Sequence, residues 1–109
     1  MSGIAGVLRL DGRPSEGEAG ESLQRMLSAM AHRGPDASAS WRDGPVALGH
    51  AMLQTTPESL TERQPLRDET GALCLVVDGR IDNRMELHRS LAAGGHHARD
   101  DTDADLVMK

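Results

Sequence analysis

The sequence predicts a small α+β domain, and three observations carry that assignment. Residues 3–10 form a short apolar run closed by a turn; residues 37–53 contain two strand-like segments around Asp43-Gly44-Pro45; and residues 21–33 place Leu23, Met26, Leu27 and Met30 at helical spacing. The first run ends at Asp11-Gly12 and Pro14, so the chain is expected to begin as a buried strand. The helix predicted from Glu21 stops at Arg33-Gly34-Pro35, where glycine and proline end helices. Residues 37–41 and 46–53 then read as the two arms of a hairpin.

Residues 54–71 hold Pro57, Pro65, Gly71 and many polar side chains, which predicts a long loop. The strongest strand is residues 72–78, where the unbroken run Leu73-Cys74-Leu75-Val76-Val77 predicts burial on both faces and makes Cys74 core filler. A helix is expected from Asn83, with Asn83 and Glu86 at capping-box spacing, Met85, Leu87 and Leu91 as its buried stripe, and Gly94-Gly95 as its stop. Thr102 and Asp105 fit one more N-cap pair, with only residues 106–109 beyond them. So short a helix does not hold alone, and the chain is expected to be truncated in mid-domain.

Composition narrows the function. Of 109 residues, 38% are hydrophobic and 20 are Leu, Val or Ile, which predicts a thin core. A formal net charge of −5 leaves no basic stripe for a phosphate backbone, so nucleic acid is not an expected partner. No apolar run approaches the roughly 20 residues of a bilayer span, so no membrane association is expected. The amino terminus lacks a signal-peptide pattern and Cys74 has no second cysteine to pair with, so the expected setting is cytoplasmic.

Removal of Met1 would leave Ser2 with a hydroxyl and a free α-amine on one residue. Such an amine can take the proton of its own side chain, as in N-terminal nucleophile hydrolases, although a hydroxyl is much harder to activate than a thiol. His96-His97 with Asp100, Asp101 and Asp103 offers imidazole and carboxylate together. Adjacent histidines point in different directions and no second cluster completes a coordination sphere, so no metal site is expected. His32-Arg33 reads as a structural clamp at a helix end, and Trp41 as a core anchor.

The ordered segments Ser2-Gly3-Ile4-Ala5-Gly6, His32-Arg33-Gly34-Pro35-Asp36, Leu48-Gly49-His50, Gln64-Pro65-Leu66, Asp78-Gly79-Arg80-Ile81-Asp82-Asn83 and Thr102-Asp103 resemble the glutaminase domain of asparagine synthetases and other class II glutamine amidotransferases. The resemblance runs along essentially the whole chain. It implies an αββα Ntn-hydrolase sandwich of mostly antiparallel sheets, of which residues 1–109 would be about the first half. The ATP-binding synthetase domain of such proteins would lie outside the chain.

The resemblance also shows departures at the site it implies. Family enzymes carry a nucleophilic cysteine where Ser2 stands, and an arginine for the glutamine carboxylate where Met52 stands. Their Asn-Gly-Glu segment, which supplies an oxyanion-hole amide and a carboxylate for the substrate amine, reads Asp78-Gly79-Arg80 here, and among the substrate-binding acids Asp103 alone matches. An ionised Asp78 would repel a developing oxyanion and Arg80 would repel an ammonium, so glutamine hydrolysis is expected to be lost.

An amidotransferase-like domain without its nucleophile resembles beta-lactam synthetases and lasso-peptide cyclases of bacteria. Thr55-Thr56-Pro57-Glu58-Ser59, Glu62-Arg63-Gln64-Pro65-Leu66 and Gly79-Arg80-Ile81-Asp82-Asn83-Arg84 are most similar to the latter. That branch implies ATP and Mg2+ in the full-length parent, none in this piece, and a precursor peptide as substrate, closed into an isopeptide ring. The alternatives are a glutamine-hydrolysing domain using Ser2 and a stand-alone binding module. The isolated piece is expected to self-associate through unpaired sheet edges.

Overall fold

The computed structural model describes residues 2–109 as an α+β arrangement with two antiparallel sheets. The larger sheet joins β1 (Gly3–Leu8), β2 (Ala37–Asp43) and β3 (Val46–Met52) in the order β1-β3-β2. The smaller pairs β4 (Leu66–Arg67) with β5 (Cys74–Leu75). Helix α1 (Glu18–Ala29) lies between β1 and β2 in the chain, and α2 (Arg84–Ala93) and α3 (Asp103–Met108) come after β5.

The predicted hairpin is present. Asp43 faces Val46 across a two-residue turn, and Gly44 has φ of 53°, a positive value at the first turn position that only glycine adopts without strain. In β1 the pairing runs from Gly3 opposite Ala51 to Leu8 opposite Val46, and then stops. The predicted extension to Leu10 fails because Leu10 has left the sheet and is 93% exposed.

Strand alternation puts Ala5, Val7 and Ala47 on the face covered by α1, whose Leu23 and Leu27 are buried against them with Met30 beside them. Leu23 is fully buried, and each such leucine contributes roughly 1.5–3 kcal/mol. Among the described residues eight hydrophobic ones are buried, and four of these are alanine, so the core is thin and polar bonds carry more of the fold. Helix α1 begins three residues before the expected Glu21, with Glu18 and Glu21 in its first turn where carboxylates favour the helix dipole. Trp41 is not in this core. It is half-buried opposite Leu48, on the sheet face turned away from α1.

The His32–Asp36 signature acts through its backbone and Asp36; the expected clamp by His32-Arg33 is not found, since both residues are exposed and neither side chain makes a hydrogen bond or ion pair among the described residues. A side chain on Gly34 would meet the Ala51 carbonyl, so only glycine lets the chain pass there. Asp36 then donates its N–H to the Met52 carbonyl at 3.0 Å, and its carboxylate accepts the Gln54 N–H at 2.7 Å.

Four expectations need correction. Residues 72–78 are not a doubly buried strand: regular pairing covers Cys74–Leu75 only, Leu73 is 58% exposed, and Cys74 is half-buried. The reason is local, since the N–H and carbonyl of Val77 are taken by side chains and not by a neighbouring strand. The α2 stripe is not buried either, with Met85 70% exposed and Leu87 and Leu91 half-buried, because among the described residues this helix packs mainly on the short helix α3 and not on a sheet face. Asn83 does precede α2, but its side chain makes no capping bond and instead donates to the Glu86 carboxylate at 3.4 Å. The predicted loop 54–71 carries a single helical turn at Glu58–Leu60 and strand β4.

At α3 the expected cap is in place, with the Thr102 hydroxyl accepting the Asp105 N–H at 3.3 Å. The Asp105 carboxylate does not reach back to Thr102. It is fully buried and accepts the backbone N–H groups of Arg99 and Asp100. No helix of the described residues is long and apolar enough to cross a membrane.

Candidate functional site

A cavity of about 360 Å³ lies between the end of β3 and the segment after β5. Ser2, Asp78, Gly79, Arg80 and Asp103 all line it, joined by Leu53, Thr55, Thr56, Ser59, Glu62 and Val77. Five of the six residues predicted from sequence therefore meet in one place. Met52 stands apart: it is 3% exposed, paired with Ala37, and closed off by Asp36 at the end of β3, while its neighbour Leu53 faces the cavity. A wider, more open groove beside α1, lined by Gly17, Glu21, Arg25 and Arg42 among others, contains none of the predicted residues.

The cavity walls are held by side chains bonded to backbone. Antiparallel pairing of Gly3 with Ala51 carries Ser2 to the end of β3, where its Oγ accepts the Leu53 N–H at 3.0 Å. The expected loss of Met1 concerns a residue outside the described ones. Glu62, 8% exposed, accepts the Ala104 N–H at 2.9 Å and so pins the start of α3. Asp103 accepts the Ile81 N–H at 3.2 Å and the Arg84 guanidinium at 2.5 Å, tying α3 to the segment that carries Asp78 and Arg80. Gln64 accepts the Val77 N–H at 2.7 Å, and His50 donates from Nε2 to the Val77 carbonyl at 3.2 Å.

The charges divide unevenly. Glu62, Asp78 and Asp103 bring carboxylates to the wall, Asp103 already neutralised by Arg84. Arg80 pairs with Asp82 at 2.6 Å, but both are more than 70% exposed, so this contact fixes little. Burial pushes the pKa of His50 below its usual value, opposed by the Val77 carbonyl and the Glu62 and Asp78 carboxylates. Its Nε2 proton is spent on the Val77 carbonyl, and Ser2 Oγ is engaged by the Leu53 N–H.

Sequence reasoning did not find Glu62, Gln64 or Arg84 as builders of this cavity. Their residue types are ordinarily solvated, and although they fall within segments of family resemblance, nothing in those segments marks them as cavity residues. The candidate cluster around His96 and His97 does not assemble: Asp101 pairs with His88 and Arg84, Asp100 caps Thr102, and no three metal-ligating side chains converge among the described residues.

Comparison with known proteins identifies the family. The family described as "Glutamine amidotransferase domain" matches residues 1–109. The amidase chry2 of Gibberella zeae is 40% identical over 90 residues, covering 81% of this chain and 13% of that protein. Asparagine synthetase [glutamine-hydrolyzing] 1 of Bacillus subtilis is 27% identical over 108 residues, covering 99% and 17%. The amidase chyE of Penicillium rubens is 28% identical over 116 aligned positions, covering 99% and 17%. The chain thus spans less than a fifth of the length of these relatives. It belongs to the class II glutamine amidotransferase domain family, with asparagine synthetases among its homologues along the whole chain.

Proposed function

We propose that this is a non-hydrolytic amidotransferase-like scaffold, the N-terminal part of an αββα Ntn-type domain in a larger cytoplasmic ATP-dependent ligase. The ligase reading is a lasso-peptide macrocyclase that closes an isopeptide ring in a precursor peptide. One observation carries the loss of hydrolysis: the cavity offers a serine hydroxyl, already accepting the Leu53 N–H, beside Asp78 and Arg80. Even with the α-amine of residue 2 as base, a hydroxyl is much harder to activate than the thiol it replaces. A carboxylate at Asp78 disfavours a developing oxyanion, and Arg80 disfavours an ammonium.

ATP with Mg2+ does not fit this cavity. The Glu62 and Asp78 carboxylates oppose a triphosphate, and the segment around Gly79 has no run of glycines to present backbone N–H groups to phosphate. Nucleotide chemistry is therefore assigned to the remainder of the parent protein. The test is the full-length protein with ATP, Mg2+ and a candidate precursor peptide, without glutamine, read by mass spectrometry. The expected product has lost one water. A product that forms only with glutamine and carries its amide nitrogen would overturn the reading in favour of a Ser2 glutaminase, which the names of the Bacillus relatives favour.

A further inference from the structure

We propose that His50 and Gln64 are positioning residues for the cavity, holding the Val77 backbone from both sides and so setting where Asp78, Gly79 and Arg80 stand relative to Ser2. The inference rests on the reading of this cavity as the domain's site, and is independent of whether glutamine or a peptide is its ligand.

The β4–β5 ribbon has two residue pairs, too few to fix the course of the chain beyond Leu75. The apolar run nevertheless continues through Val76 and Val77, and it is at Val77 that two buried side chains take over. Gln64, 7% exposed, accepts the N–H, and His50, 2% exposed, donates to the carbonyl. Those two groups belong to consecutive peptide planes, so fixing both fixes φ and ψ of Val77 and the direction in which Asp78 leaves it. His50 comes from the centre of the larger sheet and Gln64 from the residue pair before β4, so the clamp ties the ribbon to β3. Burying an imidazole and an amide is costly without partners, and Val77 supplies one to each, its carbonyl to His50 Nε2 and its N–H to Gln64 Oε1. Since a carbonyl only accepts, the imidazole must carry its proton on Nε2. The Cys74 thiol, on the same ribbon, takes no part in the clamp and is pushed up in pKa by burial.

The test installs Ser2→Cys as a reporter. Alkylation at residue 2 is followed against pH by peptide mapping, which reads Cys74 separately. Because the Asp78 carboxylate and the Arg80 guanidinium act on that thiol, its profile reports their placement. His50→Gln keeps a donor at the Nε2 position and is expected to leave the rate within about twofold of the reporter, whereas His50→Leu and Gln64→Leu are expected to change it by at least about threefold. Superimposable profiles in folded His50→Leu and Gln64→Leu reporters would overturn the proposal. If the leucine variants do not fold, the imidazole tautomer of the unsubstituted chain decides, read from its long-range 1H–15N spectrum. An Nε2–H signal supports the clamp and an Nδ1–H signal refutes it.

Discussion

Replacing Gly34 with alanine is expected to be among the most damaging single changes outside the cavity. The new Cβ would lie 2.1 Å from the carbonyl carbon of Ala51, 2.2 Å from its oxygen and 2.5 Å from the Met52 nitrogen. All three are backbone atoms of β3 and cannot rotate aside. Either the chain at residues 33–36 moves out or the end of β3 moves in. Forced overpacking costs about 1–3 kcal/mol. The movement also breaks the Asp36 N–H bond to Met52 and the Gln54 N–H bond to Asp36, each contributing about 1 kcal/mol. The expected loss is about 3–5 kcal/mol, a large part of the roughly 5–15 kcal/mol typical of a small domain. Urea unfolding followed by Trp41 emission measures it, with Gly79→Ala as control, since a Cβ there meets only Val77 Cγ2 at 3.8 Å. A Gly34→Ala chain within about 1 kcal/mol of the parent would refute the close approach.

Other consequences arise from the polar core. Asp105→Ala strips two backbone N–H groups of their acceptor and is expected to cost about 2–4 kcal/mol, more than the roughly 1 kcal/mol of Thr102→Ala, both read from denaturant midpoints. The folded pKa of His50 lies below its ordinary 6.5, so the unfolded chain binds a proton first as pH falls. Its contribution to stability is therefore fully present above about pH 6.5 and lost as pH drops toward the folded value, and His50→Gln should flatten that part of the pH profile. Calorimetry with ATP and Mg2+ on the 109-residue chain should give no saturable micromolar binding, and such binding would place nucleotide chemistry within these residues.

The hairpin and α1 were legible because their signals are local: a turn glycine between alternating segments and apolar residues at helical spacing. Residues 72–78 misled for the opposite reason. Hydrophobicity predicted a neighbouring strand, whereas the partners of Val77 are side chains from residues 50 and 64, which no periodicity identifies. The α2 stripe was readable as a pattern, but a pattern does not say what lies beneath it, and Met85 is 70% exposed. Asp105 was legible as part of a cap but not as a fully buried carboxylate serving Arg99 and Asp100. In the cavity, Ser2 was singled out by its own chemistry as a possible terminal residue, whereas Asp78, Gly79, Arg80 and Asp103 came from family resemblance, since residues so far apart in sequence share no local signal. Arg84, which occupies Asp103, required the packed geometry.

The most direct test of the scaffold reading is glutamate release from glutamine by the full-length protein, compared with its Ser2→Ala and Ser2→Cys variants. The geometry of Ser2, Asp78 and Arg80 predicts that all three remain at the same background, because restoring a thiol does not remove the adverse charges beside it. A parent rate well above that of Ser2→Ala would make Ser2 a working nucleophile, and turnover from Ser2→Cys alone would show a pocket still built for glutamine; either result contradicts the account.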